Sequence, residues 1–241
     1  DPDGIVLELF QPPAAWGIPN ISPACIKLET WLRMVGLPYQ TAPGDLAAAP
    51  KGKVPYIEED GVKLGDSTLI IEHLKNKYDK DLDRGLSDSE RAVSLAFRRM
   101  LKENTYWVIV YARWADDSNW PAYRDLLKPM LIPGQPSAVQ DQVMDNVRAM
   151  ILGELKGHGL GRHSSSEVYE IGMADLRALA DYLGDKPFFM GEQPTLVDAT
   201  VYSHLVSLIG VPVENPAKQY GLGRPNLVAY VKRMQDRFFP E

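Results

Sequence analysis

The apolar pattern changes character once along the chain. Up to about Leu86 the elements are short and mixed, and beyond it helical spacing runs almost to the end. That limits the fold to a small sheet-containing layer joined to a helical body. A length of 241 residues is enough for a sizeable core and suits one large domain or two small ones. There is no internal repeat of the roughly 20–50-residue kind that marks solenoids.

In the first part, Ile5 to Phe10 suits a buried strand, and Pro12 to Pro19 reads as loop. Ser22-Pro23 opens a helix, because serine is a favoured N-cap and proline fits the first helical position. Ile26, Leu28, Leu32 and Val35 supply its apolar positions, and Gly36 ends it. Tyr39-Gln40-Thr41 and Val54 to Ile57 read as strands. Glu59-Asp60-Gly61 reads as a hairpin turn, since Asp-Gly tolerates positive φ, and Val62-Lys63-Leu64 is the returning strand. Asp66-Ser67 starts a second helix bearing Leu69, Ile70 and Leu74. The order β-α-β-(loop or helix)-β-β-α is that of a thioredoxin-type domain.

The predicted division is a mixed domain over 1–78, an acidic linker over 79–86 and an all-helical domain over 87–241. In the last, Ser87-x-x-Glu90 caps a long helix running toward Trp114, which Asp116 to Asn119 breaks. Pro133 to Pro136 is loop, Val139 to Leu155 has helical spacing, and Gly157 to Gly161 is a break. Ser164-x-x-Glu167 caps a helix ending at Gly184, and Thr195-x-x-Asp198 caps another through Leu208. Pro225 to Phe238 is the last helix.

Composition narrows the function. Asp and Glu outnumber Lys and Arg by 32 to 26, a net charge of −6, which gives no general footing for nucleic acid. No apolar run approaches the roughly 20 residues that span a bilayer, so no integral membrane segment is expected. The single cysteine, Cys25, allows no internal disulfide and no cysteine-rich zinc site, which favours a reducing, cytoplasmic setting. Asp1-Pro2-Asp3-Gly4 is not a basic, apolar signal segment. His73, His158, His163 and His204 lack metal-motif spacing, so no metal is expected, and Gly157 to Gly161 is not followed by the Lys-Ser/Thr of a phosphate loop.

The chemistry sits in the first part. Backbone N–H groups around Ser22 lack intrahelical partners, and the helix dipole there favours negative charge. A thiolate held at this point is stabilised, and the Ser22 hydroxyl can donate to it. Ser22 is also a plain N-cap, and both roles can hold together. Cys25, three residues on, reads either as an activated thiol or as an inward-packed, inert one. Val54-Pro55, if cis, leaves backbone free to pair with an extended peptide; otherwise it is an edge-strand proline. Asp66 and Ser67 can hold the ammonium and carboxylate of an α-amino-acid group, or simply cap a helix. Lys51 and Lys53 can meet a second carboxylate or be merely solvated. Phe97, Trp107, Tyr111 and Trp114 share helical spacing and read as core or interface. Jointly the set suits a short acidic thiol peptide, namely glutathione.

These residues resemble the glutathione transferase superfamily. Ala49-Pro50-Lys51-Gly52-Lys53-Val54-Pro55 is similar to its approach to a cis-proline, Gly65-Asp66-Ser67-Thr68-Leu69-Ile70 to its γ-glutamyl-binding helix start, and Pro194-Thr195-Leu196-Val197-Asp198 to its buried capping box. Trp16-Gly17-Ile18-Pro19, Ser22 through Tyr39, Gly157 through Ser164, Leu183 through Phe189 and on to Thr200, and Pro225-Asn226-Leu227 are similar to the metaxin-like branch known as failed axon connections.

The resemblance implies a thioredoxin-like glutathione-binding domain and a helical domain that shapes the second-substrate pocket. It places Ser22 at the glutathione sulfur, Val54 and Pro55 beside the cysteinyl backbone, and Asp66 and Ser67 at the γ-glutamyl end. Many relatives have Glu in place of Asp66, and the loop Gln11 to Asn20 is long for the family. The expected function is a transferase conjugating or exchanging the thiol of glutathione, its co-substrate, with a small electrophile. Two alternatives stand beside it: a non-catalytic binding or scaffold protein of metaxin type, and a Cys25-dependent glutathione thiol reductase. A homodimer is an expectation from the family.

Overall fold

The computed structural model describes residues 7–240. It opens with β1 (Glu8–Gln11), α1 (Pro23–Val35), β2 (Gln40–Pro43), β3 (Tyr56–Glu59), β4 (Val62–Gly65) and α2 (Ser67–Tyr78). Ile5 and Val6 of the expected first strand, and Asp1 to Gly4, lie outside the described residues. The sheet order is β2-β1-β3-β4, with β1 and β2 parallel and the other two pairings antiparallel. The β3–β4 turn has Asp60 and Gly61 at φ 53° and 77°, the paired positive values a tight hairpin needs.

Between β2 and β3 the chain forms turns rather than a helix. Gly44 anchors this loop: a Cβ there would fall 2.5 Å from Val54 Cγ1, so only glycine lets the two segments approach so closely.

Helix α1 begins at the proline after Ser22 and ends at Gly36, whose φ of 68° lets its N–H return to the carbonyls of Leu32 and Arg33. Both its faces are buried. Leu28, Trp31 and Leu32 pack with Leu9, Ile57, Ile70 and Leu74 around the sheet. Ile26 belongs to the larger core of the helical region. The helix is therefore the joint between the two layers.

The helical region comprises α3 (Asp88–Met100), a π turn (Leu101–Thr105), α4 (Tyr106–Val110), a second π turn (Tyr111–Ala115), α5 (Trp120–Leu131), α6 (Ser137–His158), a 3₁₀ turn (Leu160–Arg162), α7 (Ser165–Leu183), α8 (Leu196–Ile209), α9 (Pro216–Leu222) and α10 (Pro225–Phe238). The expected long helix runs unbroken over 88–115, with two π turns that its spacing does not announce. The capping boxes at Ser87, Ser164 and Thr195 all form. Helices α5 and α9 have no counterpart in the sequence reading; Pro129 inside α5 masks its pattern.

Every residue of α8 from Leu196 to Leu208 is buried. Its start is fixed by the Asp198 carboxylate, which accepts from the N–H groups of Thr195 (2.8 Å) and Phe189 (2.9 Å) and from the Tyr230 hydroxyl (3.1 Å). Burial pushes the Asp198 carboxyl pKa up, and these donors hold it back. Asp83, in the acidic segment after α2, accepts from the N–H of Leu196 at 2.9 Å.

Asp198→Ala strips the acceptor from two buried N–H groups and from the Thr195 hydroxyl, while the Tyr230 phenol keeps the Asp198 backbone carbonyl. It should cost about 3–5 kcal/mol in urea-monitored unfolding, against about 1–2 kcal/mol for Asp83→Ala. Equal losses would show that Asp198 is no special anchor.

Candidate functional site

A cleft of about 540 Å³ lies between the sheet layer and the helical region, within the usual range for small-molecule sites. The start of α1 supplies Ser22, Pro23 and Ala24. The loop before β3 supplies Lys51, Lys53, Val54 and Pro55, and the start of α2 supplies Asp66, Ser67 and Thr68. The facing wall carries Arg98, Lys102, Tyr106 and Trp107, and the floor carries Thr200 and His204 of α8. The Val54–Pro55 bond is cis. Of the residues singled out from the sequence, Ser22, Lys53, Val54, Pro55, Asp66 and Ser67 all line this cleft, as does Lys51.

Cys25 does not. It is fully buried, and burial pushes its thiol pKa up to about 12, against a smaller pull from the Ser22 hydroxyl. Of the two readings open for Cys25, burial favours the inward-packed thiol: it lies in the first turn of α1, on the side that faces the core.

Ser22 is held from behind. Its N–H donates to Asn20 Oδ1 at 3.0 Å, and the Arg113 guanidinium donates to the Ile21 carbonyl at 2.7 Å and to the Ser207 carbonyl at 2.6 Å. Its hydroxyl makes no cap hydrogen bond to the first turn of α1. It is thus not committed to the role that local sequence favours. Arg113 gave no signal in the sequence, because the two carbonyls it joins lie far from it in the chain.

Asp66 caps α2 through Oδ1, which accepts from Thr68 N at 2.8 Å and Leu69 N at 3.2 Å. It sits at φ 78°, unusual for a residue with a Cβ. Lys102 lies 3.8 Å from Oδ2. Burial works to raise the carboxyl pKa, but the two N–H groups and the charges of Lys102 and Lys27 outweigh it, so Asp66 stays ionised. Lys53 lies at the rim and is 3.9 Å from Glu154 of α6.

Lys27 is the residue the sequence reading missed. It lies on α1, only 8% exposed, and its Nζ is 3.0 Å from Thr68 Oγ1. Burial, and next the charges of Lys102, Arg98 and Arg99, lower its pKa to about 8, against the opposing pull of Asp66. On the floor, His204 Nδ1 is 2.8 Å from the Thr200 carbonyl, which can only accept, so Nδ1 carries the proton. Burial lowers the His204 pKa to about 4, leaving the ring neutral near pH 7. The cleft is lined by six lysines and arginines against three carboxylates, although the chain is acidic.

Among the described residues no group of three or more His, Cys, Asp or Glu is placed to hold a metal ion. No helix there is long and apolar enough to cross a membrane.

Residues 23–119 match the family model of the glutathione S-transferase N-terminal domain, and residues 172–234 match that of the glutathione S-transferase C-terminal domain. The chain is 40% identical over 231 residues to the isoprene-epoxide–glutathione S-transferase of Rhodococcus sp. (strain AD45), covering 93% of this chain and 95% of that one. It is 35% identical over 245 residues to the failed axon connections protein of Drosophila melanogaster, covering 98% of this chain but only 59% of that protein's length. Among solved structures, a glutathione transferase from Phanerochaete chrysosporium shares the fold with a TM-score of 0.66 at 17% identity, over 98% of both chains. The chain belongs to the glutathione S-transferase family.

Proposed function

We propose that the protein is a glutathione transferase that holds the glutathione thiolate at Ser22 and adds it to a small electrophile. The observation that carries this reading is the Ser22 hydroxyl at the α1 N-terminus, which makes no cap hydrogen bond and lines one cleft with the cis Val54–Pro55 bond and with Asp66 and Ser67. In this reading Lys53 at the rim meets the glycyl carboxylate and the Val54 backbone pairs with the cysteinyl unit. Asp66 pairs with the γ-glutamyl ammonium, while the Ser67 N–H and hydroxyl face its carboxylate.

The sulfur then lies against the free N–H groups of the first turn of α1. That field, together with the Ser22 hydroxyl donating to sulfur, favours loss of the thiol proton. The thiolate attacks an electrophilic carbon beside Tyr106 and Trp107. A C–S bond forms, and the leaving atom departs with its electron pair. The name of the 40% identical relative makes an epoxide the first electrophile to try. There the ring C–O bond breaks, and the alkoxide oxygen takes a proton from water. Rate comes from proximity and from charge stabilisation already in place.

A second reading, binding without turnover, is favoured by the 35% identical failed axon connections protein, whose name specifies no reaction. A reductase reading based on Cys25 has no support in the geometry, because that thiol is fully buried and pushed toward its neutral form.

Ser22→Ala should lower turnover of a model epoxide by about a hundredfold while changing glutathione affinity by less than about threefold. Calorimetry and steady-state rates read the two quantities separately. Retention on a glutathione column with no turnover of any electrophile, in the wild type itself, would favour the binding-only reading.

Cys25 should stay unmodified by a disulfide reagent at pH 8 in the folded protein and react once in urea. Cys25→Ala should keep transferase activity within about twofold. Rapid labelling in the native state, or loss of activity in that variant, would restore Cys25 as a functional thiol.

A further inference from the structure

We propose that Lys27 and Arg98 form a two-cation receptor for the α-carboxylate at the γ-glutamyl end of the thiol peptide. The protein would then select thiols that carry a free carboxylate there. This rests on the glutathione reading and adds two residues which that reading does not use.

Lys27 is buried in the middle of α1, and its ammonium has three donors. Among the described residues it makes one hydrogen bond, to Thr68 Oγ1, and has no ion-pair partner. Arg98, on α3, makes no hydrogen bond or ion pair among the described residues, and its Nε is buried without a partner. Burial draws down its pKa, with Asp83 and Glu72 opposing only through longer-range attraction. Both side chains line the cleft.

A desolvated cation without a counter-ion is costly, and here Lys27 is buried while the half-buried Arg98 has its Nε sealed from water. The missing partner is an anion. A planar carboxylate matches the fork of a guanidinium and leaves an edge for an ammonium.

Position decides which carboxylate. Thr68, the one partner of Lys27, directly follows Asp66 and Ser67, the pair assigned to the γ-glutamyl end. The Ser67 N–H, at the first helical position, has no intrahelical acceptor and adds a donor to the same spot. Lys53, assigned to the glycyl end, is on a different loop and already lies near Glu154.

The groups that face Lys27 are Asp66 at the start of α2, Arg98 and Arg99 of α3, Lys102 of the first π turn and the neutral His204 of α8. Among the described residues facing it, only Asp66 is negative. With a pKa near 8, the amine is largely protonated below that pH and loses charge above it. A carboxylate bound beside it favours the charged form and raises that pKa. Affinity for the carboxylate should therefore hold below about pH 8 and fall above it, and binding near pH 8 should draw in a fraction of a proton.

The test is titration calorimetry with S-methylglutathione, whose sulfur cannot ionise, and with the analogue lacking the α-carboxylate, 4-aminobutyryl-S-methylcysteinylglycine. The wild type should bind the analogue at least about tenfold more weakly. Lys27→Met and Arg98→Gln should each bind S-methylglutathione at least about tenfold more weakly and discriminate the two ligands by less than about threefold. Titrations at pH 8 in buffers of different ionisation enthalpy should show more proton uptake by the wild type than by Lys27→Met; the ligand's own amine contributes to both. Methionine fills the same volume without a buried charge, so its melting temperature should not fall. If that variant fails to fold, Arg98→Gln carries the test alone. Wild-type discrimination retained in either folded variant, or unchanged affinity for S-methylglutathione, overturns this proposal and leaves the glutathione reading intact. No saturation of the wild type by S-methylglutathione overturns both.

Discussion

The position of α8 governs the site, and one buried carboxylate sets that position. Asp198 gathers the N–H groups of Thr195 and Phe189 and the Tyr230 hydroxyl, so α8, α10 and the turn before α8 meet at one acceptor. From there α8 runs buried along its length beneath α1. It supplies the Ser207 carbonyl to Arg113, whose other arm holds the Ile21 carbonyl. A stability device in the helical region thus fixes the residue before Ser22, at the mouth of the cleft. The link between fold and chemistry is a chain of satisfied buried polar groups, which lose most when half broken.

The electrostatics of the cleft run against those of the chain. A protein with a net charge of −6 brings six lysines and arginines to one concave surface, on elements from both layers. Several are offset locally: Lys102 by Asp66, Arg99 by Glu103, and Lys53 by Glu154. Field lines in such a cleft are focused by its low-dielectric walls, so a small anion is drawn in even though the molecule as a whole repels it. Glutathione, with two carboxylates against one ammonium, has the sign this surface favours.

Much of this was legible in the chain, and the remainder was hidden for identifiable reasons. Ser22-Pro23 and Gly36 bound α1 because capping chemistry is local. The hairpin at Asp60-Gly61 and the boxes at Ser87, Ser164 and Thr195 are local for the same reason. The strand and helix order pointed to the sheet, and the residues picked for the cleft converge there apart from Cys25. Lys27 was invisible because a lysine between Ile26 and Leu28 looks the same whether it reaches water or turns inward. Its environment comes from α2, α3 and α8, which sequence spacing does not bring together. Arg113 is hidden likewise, since each carbonyl it holds lies more than 90 positions away. The π turns of the long helix depend on packing rather than propensity, and Pro129 conceals α5.

The neighbouring Ser22 and Cys25 illustrate how one helix end is kept for one anion. The free N–H groups of a first turn stabilise a single negative charge well, and a second charge placed there would repel the first. Cys25 lies within that turn, so an ionised thiol would compete for the same field. Burial removes the competition by keeping the thiol neutral, and Glu29 adds to the effect. A serine at the mouth adds a donor but no ionisable charge near neutral pH. The field at this end is therefore open to an anion brought by a ligand. A Cys-x-x-Cys pair would fill it with the protein's own sulfur; Ser22 and a buried Cys25 leave the first turn without a thiolate of the protein's own.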